Sequence, residues 1–407
     1  MPKIRVNKYQ LWAHLYFFFN SVGLAGGLLY TNLLTPFLYI WLVLKKREPV
    51  LVPVLCVLIP FDIIHIVNGI EWKSFLLSNM LFLSTYIFVA CFNYFVNHYK
   101  DIEAIYKRLL LVNLVFVIIA CVLYFTPFKD LLWYRNKFTK SVDGFYRLSL
   151  LTFEASYYAL LFTPIAMFYL LKLFFGLNKQ PAGYILLFTG IPLLLSLSLG
   201  VLGSMAISFM VLYILNWKKI FYKKRYFNVL FIGLSLLFCI GLIMVLFFPA
   251  NALMVRINNI IMGVDTSTKG RTSDSFMMAW MIANERSMWF GSGLGQIKVL
   301  AYDIVKKYFS YWGELEVVRI PNAVAETMAI FGIFGLLFRF ALIFMLFIKT
   351  KVLSNHYRTA LFVFVFVYQF TGSYITNIVE YVIWAIAFSS AFKQFDTNKD
   401  KTIEPLK

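Results

Sequence analysis

The chain has 407 residues, of which 61% are hydrophobic and only 14% are charged. The apolar residues form continuous runs of about 20, the length that crosses the hydrocarbon of a bilayer, which excludes a soluble globular core. Because these runs do not alternate with polar residues, a transmembrane barrel is excluded too. The net charge of +19 does not indicate nucleic acid binding, since cytoplasmic loops of polytopic proteins collect Lys and Arg. We therefore predict an all-α polytopic membrane protein.

The first apolar stretch, 11–44, lies between a basic N-terminus and the cluster Lys45-Lys46-Arg47. Two short crossings with a turn near Tyr30-Thr31-Asn32 keep both basic groups in the cytoplasm. Hydropathy predicts further spans near 50–70, 75–97, 109–127, 150–175, 183–199, 201–217, 228–249, 322–348, 359–375 and 378–392. The total is about 12 spans, with both termini in the cytoplasm.

This topology divides the chain into four parts. They are a bundle of about nine spans (1–249) with an external loop at 128–149, a large external loop (250–321) before the third-last span, three C-terminal spans (322–392) and a cytoplasmic tail (393–407). Both external loops are rich in basic residues, against the topological bias. For 128–149 we favour an anionic ligand. In 250–321, six acidic residues nearly balance eight basic ones, so a functional and a purely structural interpretation both stay open.

The large loop contains two predicted amphipathic helices. The first follows the N-cap candidates Thr272-Ser273-Asp274 and carries most of its large apolar residues along one side: Phe276, Met277, Trp280, Met281 and Met288. The second is predicted near 297–309. Both are expected at the membrane surface. The turn Gly291-Ser-Gly293-Leu-Gly295 between them predicts a helix end, with backbone contacts to a phosphate as the alternative.

The stretch GRTSDSFMMAWMIANERSMWFGSGLG at 270–295 resembles the bacterial O-antigen polymerase (Wzy) and O-antigen ligase (WaaL) superfamily. There an Arg opens a periplasmic helix that runs through a Trp to a G-x-G-x-G turn. The ligase pattern continues with His-[Asn/Ser/Gln], nine residues and G-x-x-G. Here Pro321-Asn322 and Gly332-Ile-Phe-Gly335 match it, except that proline replaces histidine, which favours a polymerase. Arg147, Ser149 and Glu154-Ala-Ser156 are similar to a further polymerase segment.

The resemblance implies a GT-C-like glycosyltransferase in the bacterial plasma (inner) membrane. Its substrate would be an undecaprenyl-pyrophosphate-linked glycan, polymerised into O-antigen, capsule or exopolysaccharide without cofactor, metal or nucleotide sugar. Membrane lipids and a chain-length regulator are candidate partners. The alternatives are a ligase, a flippase or transporter of lipid-linked oligosaccharide, and a non-catalytic export component. A transporter typically has two related halves and deep charges, whereas here we find no convincing repeat and few deep charges.

The leaving pyrophosphate calls for arginine, which binds two phosphate oxygens at once and stays charged. Arg147, Arg271 and Arg319 are the candidates, each with lipid headgroups as the alternative partner. Arg256 is a fourth, for which headgroup contact is favoured. No histidine, cysteine and carboxylate cluster has metal-ligand spacing.

A base for the acceptor hydroxyl must be a carboxylate, because the external loops lack histidine. Glu326 and Glu154 each lie near the external entry of a span. For Glu154 an ion pair is at least as good an explanation. Asp274 is a further candidate, which an interaction with the N-terminal helix dipole explains equally well. Asn322, Gly293 and Gly295 complete the predicted set as substrate-binding positions. The deeper Arg339 is expected to extend toward the cytoplasm. The loop aromatics are expected to mark the membrane interface, with sugar stacking as the alternative: Trp133, Tyr134, Tyr146, Tyr311 and Trp312.

Overall fold

A computed structural model describes residues 30–46, 50–98, 102–135, 146–177, 181–222, 258–259, 261–263, 266–309 and 318–397. The first crossing of the predicted N-terminal hairpin, the span near 228–249 and most of the C-terminal tail lie outside these residues. So do three individual predictions: Arg256, Tyr311 and Trp312.

The helices in chain order are α1 (Tyr30–Lys46), α2 (Val52–Val67), α3 (Trp72–His98), α4 (Ile102–Leu123), α5 (Ala155–Phe174), α6 (Ala182–Ser196), α7 (Leu199–Tyr222), α8 (Thr266–Arg271), α9 (Ser273–Asn284), α10 (Ile297–Phe309), α11 (Ala323–Lys349), α12 (His356–Tyr368) and α13 (Ile378–Phe388). By length and composition, α3, α4, α5, α7 and α11 can each cross a membrane, and α1, α2, α6, α12 and α13 are shorter apolar helices. The polytopic, mostly helical character is confirmed. Each described apolar helix falls on one predicted span.

The predicted span near 359–375 is too long at its C-terminal end. Helix α12 ends at Tyr368, and the chain then forms a connecting loop, 369–377, before α13. The sequence Thr371-Gly372-Ser373 explains the early end, because these residue types favour turns over helix interiors. Residues 369–377 therefore lie outside the two helices that flank them.

A short β-hairpin, which was not predicted, interrupts the helical architecture in segment 128–149. There β1 (Trp133–Arg135) pairs antiparallel with β2 (Tyr146–Leu148), and Trp133 lies opposite Leu148. Both side chains are buried, and Trp133 Nε1 donates to the Ala120 carbonyl at 2.7 Å. Trp133 thus anchors the hairpin to the last turns of α4, and its place in an interfacial belt stays a prediction.

The two loop helices occur where they were predicted, but α9 packs on α11 of the bundle. Its buried face consists mainly of small residues, among them Ser275, Ala279 and Ala283, whose size allows close approach of two helices. Met277 and Trp280, on the predicted apolar side, are 43% and 46% exposed. The packing face therefore combines these small residues with Met278 and Ile282, and it is not the apolar side predicted from the sequence.

Helix α11 is broken at Gly332, which has φ 64°. The chain at 288–293 lies in the break and exchanges backbone hydrogen bonds with both halves of the helix. Ser292 and Gly293 donate to the carbonyls of Ala329 and Ile330, and Ile333 and Phe334 donate to those of Met288 and Trp289, at 2.9–3.1 Å. The glycine turn therefore satisfies groups that a broken helix leaves unpaired, and the amides of Ser292 and Gly293 are occupied by protein carbonyls.

Close packing of this turn gives a stability prediction. A Cβ at Gly295, which has φ +78°, would overlap with the backbone carbonyl of Ser74 at the start of α3. Strain and overpacking together should make Gly295→Ala less stable by about 2–5 kcal/mol. The matched control is Gly203→Ala in α7, where a Cβ would meet nothing within 4 Å. Thermal unfolding of both purified variants checks this, and equal melting temperatures would contradict it.

Candidate functional site

Loop 369–377 is held at the N-terminal end of α11 by contacts from α11 and α13. The Ala323 amide donates to the Gln369 carbonyl at 3.0 Å, and the Ile375 amide donates to Glu326 Oε2 at 2.6 Å. Tyr381 holds the same residue from α13, because its hydroxyl donates to the Ile375 carbonyl at 2.8 Å. The first turn of α11 and this loop therefore form one bonded unit, which the sequence analysis did not predict.

Asn322 fixes the position of this unit. It is fully buried and caps α11, accepting from the amides of Val324 and Ala325 at 3.1 and 2.9 Å. Its amide nitrogen donates to the carbonyls of Arg271 and Phe370, at 2.9 and 2.8 Å. Because both ends of the side chain are engaged by backbone groups, Asn322 joins α8, α11 and the loop. These contacts give Asn322 a structural role, and its predicted contact with substrate stays a prediction.

Arg271 is the last residue of α8 and contacts loop 369–377. Its Nη1 donates to the Thr371 carbonyl at 3.4 Å, and a Cβ at Gly372 would lie 3.1 Å from the same nitrogen. The glycine therefore leaves room for the guanidinium. Arg271 is half-buried, so part of its fork remains open to a ligand.

Tyr374 lies at the centre of the predicted charges. The exposed Arg319 places its guanidinium carbon 5.8 Å from the centre of the tyrosine ring. Burial raises the pKa of Tyr374, the carboxylates of Glu154 and Glu326 raise it further, and the charges of Arg319 and Arg271 lower it. Two carboxylates and two guanidiniums from separate segments therefore act on one hydroxyl, and we call these five residues the Tyr374 cluster.

Glu154 enters the cluster from the N-cap position of α5. Its Oε1 accepts a hydrogen bond from Ser156 Oγ at 2.6 Å, and its carbonyl accepts from Thr152 Oγ1 at 2.8 Å. These bonds fix the backbone and the carboxylate at the entry of the span. Glu154 and Glu326 therefore approach Tyr374 from different helices, α5 and α11.

Arg147 lies in β2 and supports a neighbouring turn. Its side chain is buried, and its Nε donates to the Ser196 carbonyl at the end of α6, at 2.9 Å. The chain that follows Ser196 passes beside loop 369–377, since a Cβ at Gly200 would lie 3.8 Å from Thr371 Oγ1. Arg147 is thus tied to the turn behind the cluster, and its contact with pyrophosphate stays a prediction.

The turn glycines Gly293 and Gly295 contact α2 and α3. A Cβ at Gly293 would lie 3.1 Å from His65 Cγ, and His65 Nε2 donates to the Phe290 carbonyl at 2.8 Å. Their described contacts are with the helix break and these two helices, so the geometry supports a packing role for both. Substrate binding at these glycines stays a prediction.

Arg339 does not extend toward the cytoplasm as expected. Its Nη2 forms an ion pair with Glu380 Oε1 at 2.7 Å, and the side chains are only 12% and 1% exposed. This pair lies inside the bundle between α11 and α13. The expectation of few deep charges did not include it. Glu380 was recognisable from the sequence, because it is an ionisable residue within an apolar span.

A family model described as O-Antigen ligase matches residues 183–340. The match runs from the start of α6 into the second half of α11. It includes Arg271, Arg319, Asn322, Glu326 and both glycine motifs, while Glu154 and loop 369–377 lie outside it. A search of curated proteins found no match. Residues 183–340 are thus similar to the O-Antigen ligase family, which supports the resemblance to the Wzy/WaaL superfamily noted in the sequence.

Proposed function

We propose that this protein polymerises undecaprenyl-pyrophosphate-linked repeat units by glycosyl transfer at the Tyr374 cluster. The convergence of Arg271, Arg319, Glu154 and Glu326 on one external loop is the observation that carries the proposal. The family match supports glycosyl transfer with a lipid-linked glycan. The cluster combines guanidiniums with carboxylates, which suits a reaction that releases an anion and removes a proton.

The donor half of the reaction uses the arginines. An acceptor hydroxyl oxygen forms a bond to the anomeric carbon of the growing glycan while the bond from that carbon to the pyrophosphate oxygen breaks. Negative charge builds up on the departing lipid pyrophosphate, and Arg271 and Arg319 stabilise it. The half-buried Arg271 supplies the two-pronged contact, and the exposed Arg319 lies toward the incoming substrate.

The acceptor half needs a group that takes the hydroxyl proton. We assign it to Glu326, because the Ile375 amide orients one of its oxygens beside Tyr374. Glu154 is the second candidate. Tyr374 stays protonated in the physiological range because its pKa is raised, so its hydroxyl can donate to a substrate oxygen.

Ligation to another acceptor is the second candidate function, since the matching family model is described as O-Antigen ligase. Pro321 stands where the ligase pattern has histidine, which favours polymerisation. Deletion of the gene with analysis of surface glycan length separates these functions. Loss of a polymerase leaves single repeat units, loss of a ligase leaves none attached, and loss of a flippase leaves none exported. Single repeat units support our proposal, and either other pattern overturns it.

The orientation follows from the basic loops. We place the protein in the bacterial plasma membrane with both termini in the cytoplasm, because the run from Lys218 to Arg225 is the densest group of basic residues. The Tyr374 cluster then faces outward. Membrane lipids surround the bundle, and a chain-length regulator is a candidate partner.

The arginines also predict that catalysis needs no divalent cation. Two guanidiniums can neutralise the departing pyrophosphate, a role that Mg²⁺ fills in other phosphate sites. We expect polymer formation in washed membranes to be unchanged by a chelator such as EDTA. Activity that is lost on chelation and restored by one divalent ion would refute this.

A further inference from the structure

The guanidinium of Arg339 forms hydrogen bonds with three neighbouring side chains inside the bundle. Nε and Nη2 donate to Gln369 Oε1 at 3.1 and 3.0 Å, and Nη2 also contacts Glu380 Oε1 at 2.7 Å. Nη1 donates to Thr327 Oγ1 at 3.3 Å. An unpaired charge here would be costly, and Glu380 provides the neutralising carboxylate.

Two of these neighbours lie at opposite ends of loop 369–377. Gln369 is its first residue, directly after α12, and Glu380 lies in the first turn of α13. Arg339 therefore joins the two ends of the loop to each other and to α11. The same loop supplies Tyr374, the Thr371 carbonyl that contacts Arg271 and the Ile375 amide that contacts Glu326.

The break in α11 brings Arg339 to this position. In a continuous helix, Thr327 and Arg339 would be separated by about 18 Å along the axis, beyond the combined reach of their side chains. They are in hydrogen-bond contact here because the helix is broken between them at Gly332. The inserted turn 288–293 pairs with the backbone groups that the break leaves free. Both glycine motifs therefore support the break that places Arg339 beside the loop.

We propose that Arg339, paired with Glu380, is a positioning residue for glycosyl transfer, which sets the spacing of Tyr374, Glu326 and Arg271 by holding both ends of loop 369–377. Its kinetic consequence rests on the proposed function, whereas the effect on the loop does not. Lysine cannot replace Arg339, because an ammonium lacks the planar fork that reaches Gln369 and Glu380 together.

The kinetic test compares Arg339→Lys with Arg358→Lys in purified, reconstituted protein. Arg358 is also a buried arginine that joins α12 to α13, through the Ala387 carbonyl, but at the opposite end of these helices. Misplacement of the reacting groups should lower kcat of Arg339→Lys by about 100-fold, with a much smaller change in KM for the lipid-linked donor. Arg358→Lys should retain its kcat.

Accessibility of the loop gives a readout independent of activity. Ser373 is fully buried, so Ser373→Cys in a background without the four native cysteines should resist a water-soluble maleimide in nanodiscs. Adding Arg339→Lys should expose this position to labelling, and adding Arg358→Lys should not. Glu380→Gln, which keeps an acceptor oxygen but removes the charge, should expose it too.

Unchanged labelling in Arg339→Lys, or equal labelling in Arg358→Lys, overturns the positioning role. Increased labelling with unchanged kcat shows that the loop is held by Arg339 but that its geometry does not control transfer, which also overturns it. Failure of both Arg339→Lys and Glu380→Gln to accumulate as folded protein would make the pair a folding requirement and end the proposal. If no variant and no native protein transfers glycan, yet labelling follows the expected pattern, the proposed function has failed and the loop contact stands.

Discussion

Arg271→Ala is expected to reduce polymer formation about thirty- to thousandfold, at normal abundance of the protein in the membrane. Loss of one charge-assisted contact to the leaving pyrophosphate in a closed site costs about 2–4 kcal/mol in the transition state. Arg271→Lys should restore only part of the rate, because an ammonium keeps the charge and loses the two-pronged geometry. Initial rates of glycan elongation, normalised to protein abundance, measure both effects.

The control for Arg271 is Lys298→Ala. Lys298 is an exposed cation on α10, and its described contacts do not involve the Tyr374 cluster. Its removal changes the net charge by the same amount as Arg271→Ala. If Arg271→Ala makes full-length polymer, or if Lys298→Ala is equally harmful, pyrophosphate is bound elsewhere.

Glu326→Gln is expected to reduce turnover about a hundred- to ten-thousandfold, the usual contribution of a general base. The glutamine oxygen can still accept the Ile375 amide, so the loop contact is kept while the capacity to take a proton is lost. The conservative change separates proton transfer from packing. Turnover at saturating donor, measured with purified protein, is the quantity to compare.

Two further variants complete this comparison. Glu285→Gln removes an exposed carboxylate at the end of α9 and should leave turnover unchanged. Glu154→Gln tests the second candidate base. An active Glu326→Gln beside an inactive Glu154→Gln would move the proton transfer to Glu154, and full activity of both would remove carboxylate catalysis from the account.

Much of the fold was predictable because apolar length and helix periodicity are local properties. Within the described residues, the apolar helices, the helix that begins at Ser273 and the helix at Ile297–Phe309 occur where residue patterns predicted them, apart from the early end of α12 at Tyr368. The short hairpin at Trp133 was missed, since three-residue strands carry too little pattern to recognise. Packing of α9 was misjudged for another reason: its buried face carries Met278 and Ile282 among small residues, and it is not the side that holds Met277 and Trp280.

The candidate site was predictable only in part. Charge and the family resemblance identified Arg271, Arg319, Glu154 and Glu326, all of which act on Tyr374. The loop that connects them was missed because its bonds join positions far apart in sequence, as between Glu326 and Ile375. Sequence spacing alone cannot show such pairs.

The glycine motifs illustrate the same difficulty. A glycine turn beside a helix is compatible with phosphate binding, and only the break at Gly332 shows what the turn contacts. Arg339 was assigned to the wrong end of its span for a related reason. A continuous helix was assumed, and the break places its guanidinium beside Thr327.

Incubation of the purified protein with a single lipid-linked repeat unit tests the central claim most directly. The substrate would be an undecaprenyl-pyrophosphate-linked oligosaccharide in nanodiscs, with products separated by chain length. We predict a ladder of longer lipid-linked glycans, with one undecaprenyl pyrophosphate released for each new glycosidic bond. From Arg271→Ala the ladder should form about thirty- to thousandfold more slowly. Two results would contradict the account. One is recovery of unchanged substrate after incubation with folded native protein, and the other is a ladder of equal intensity from Arg271→Ala.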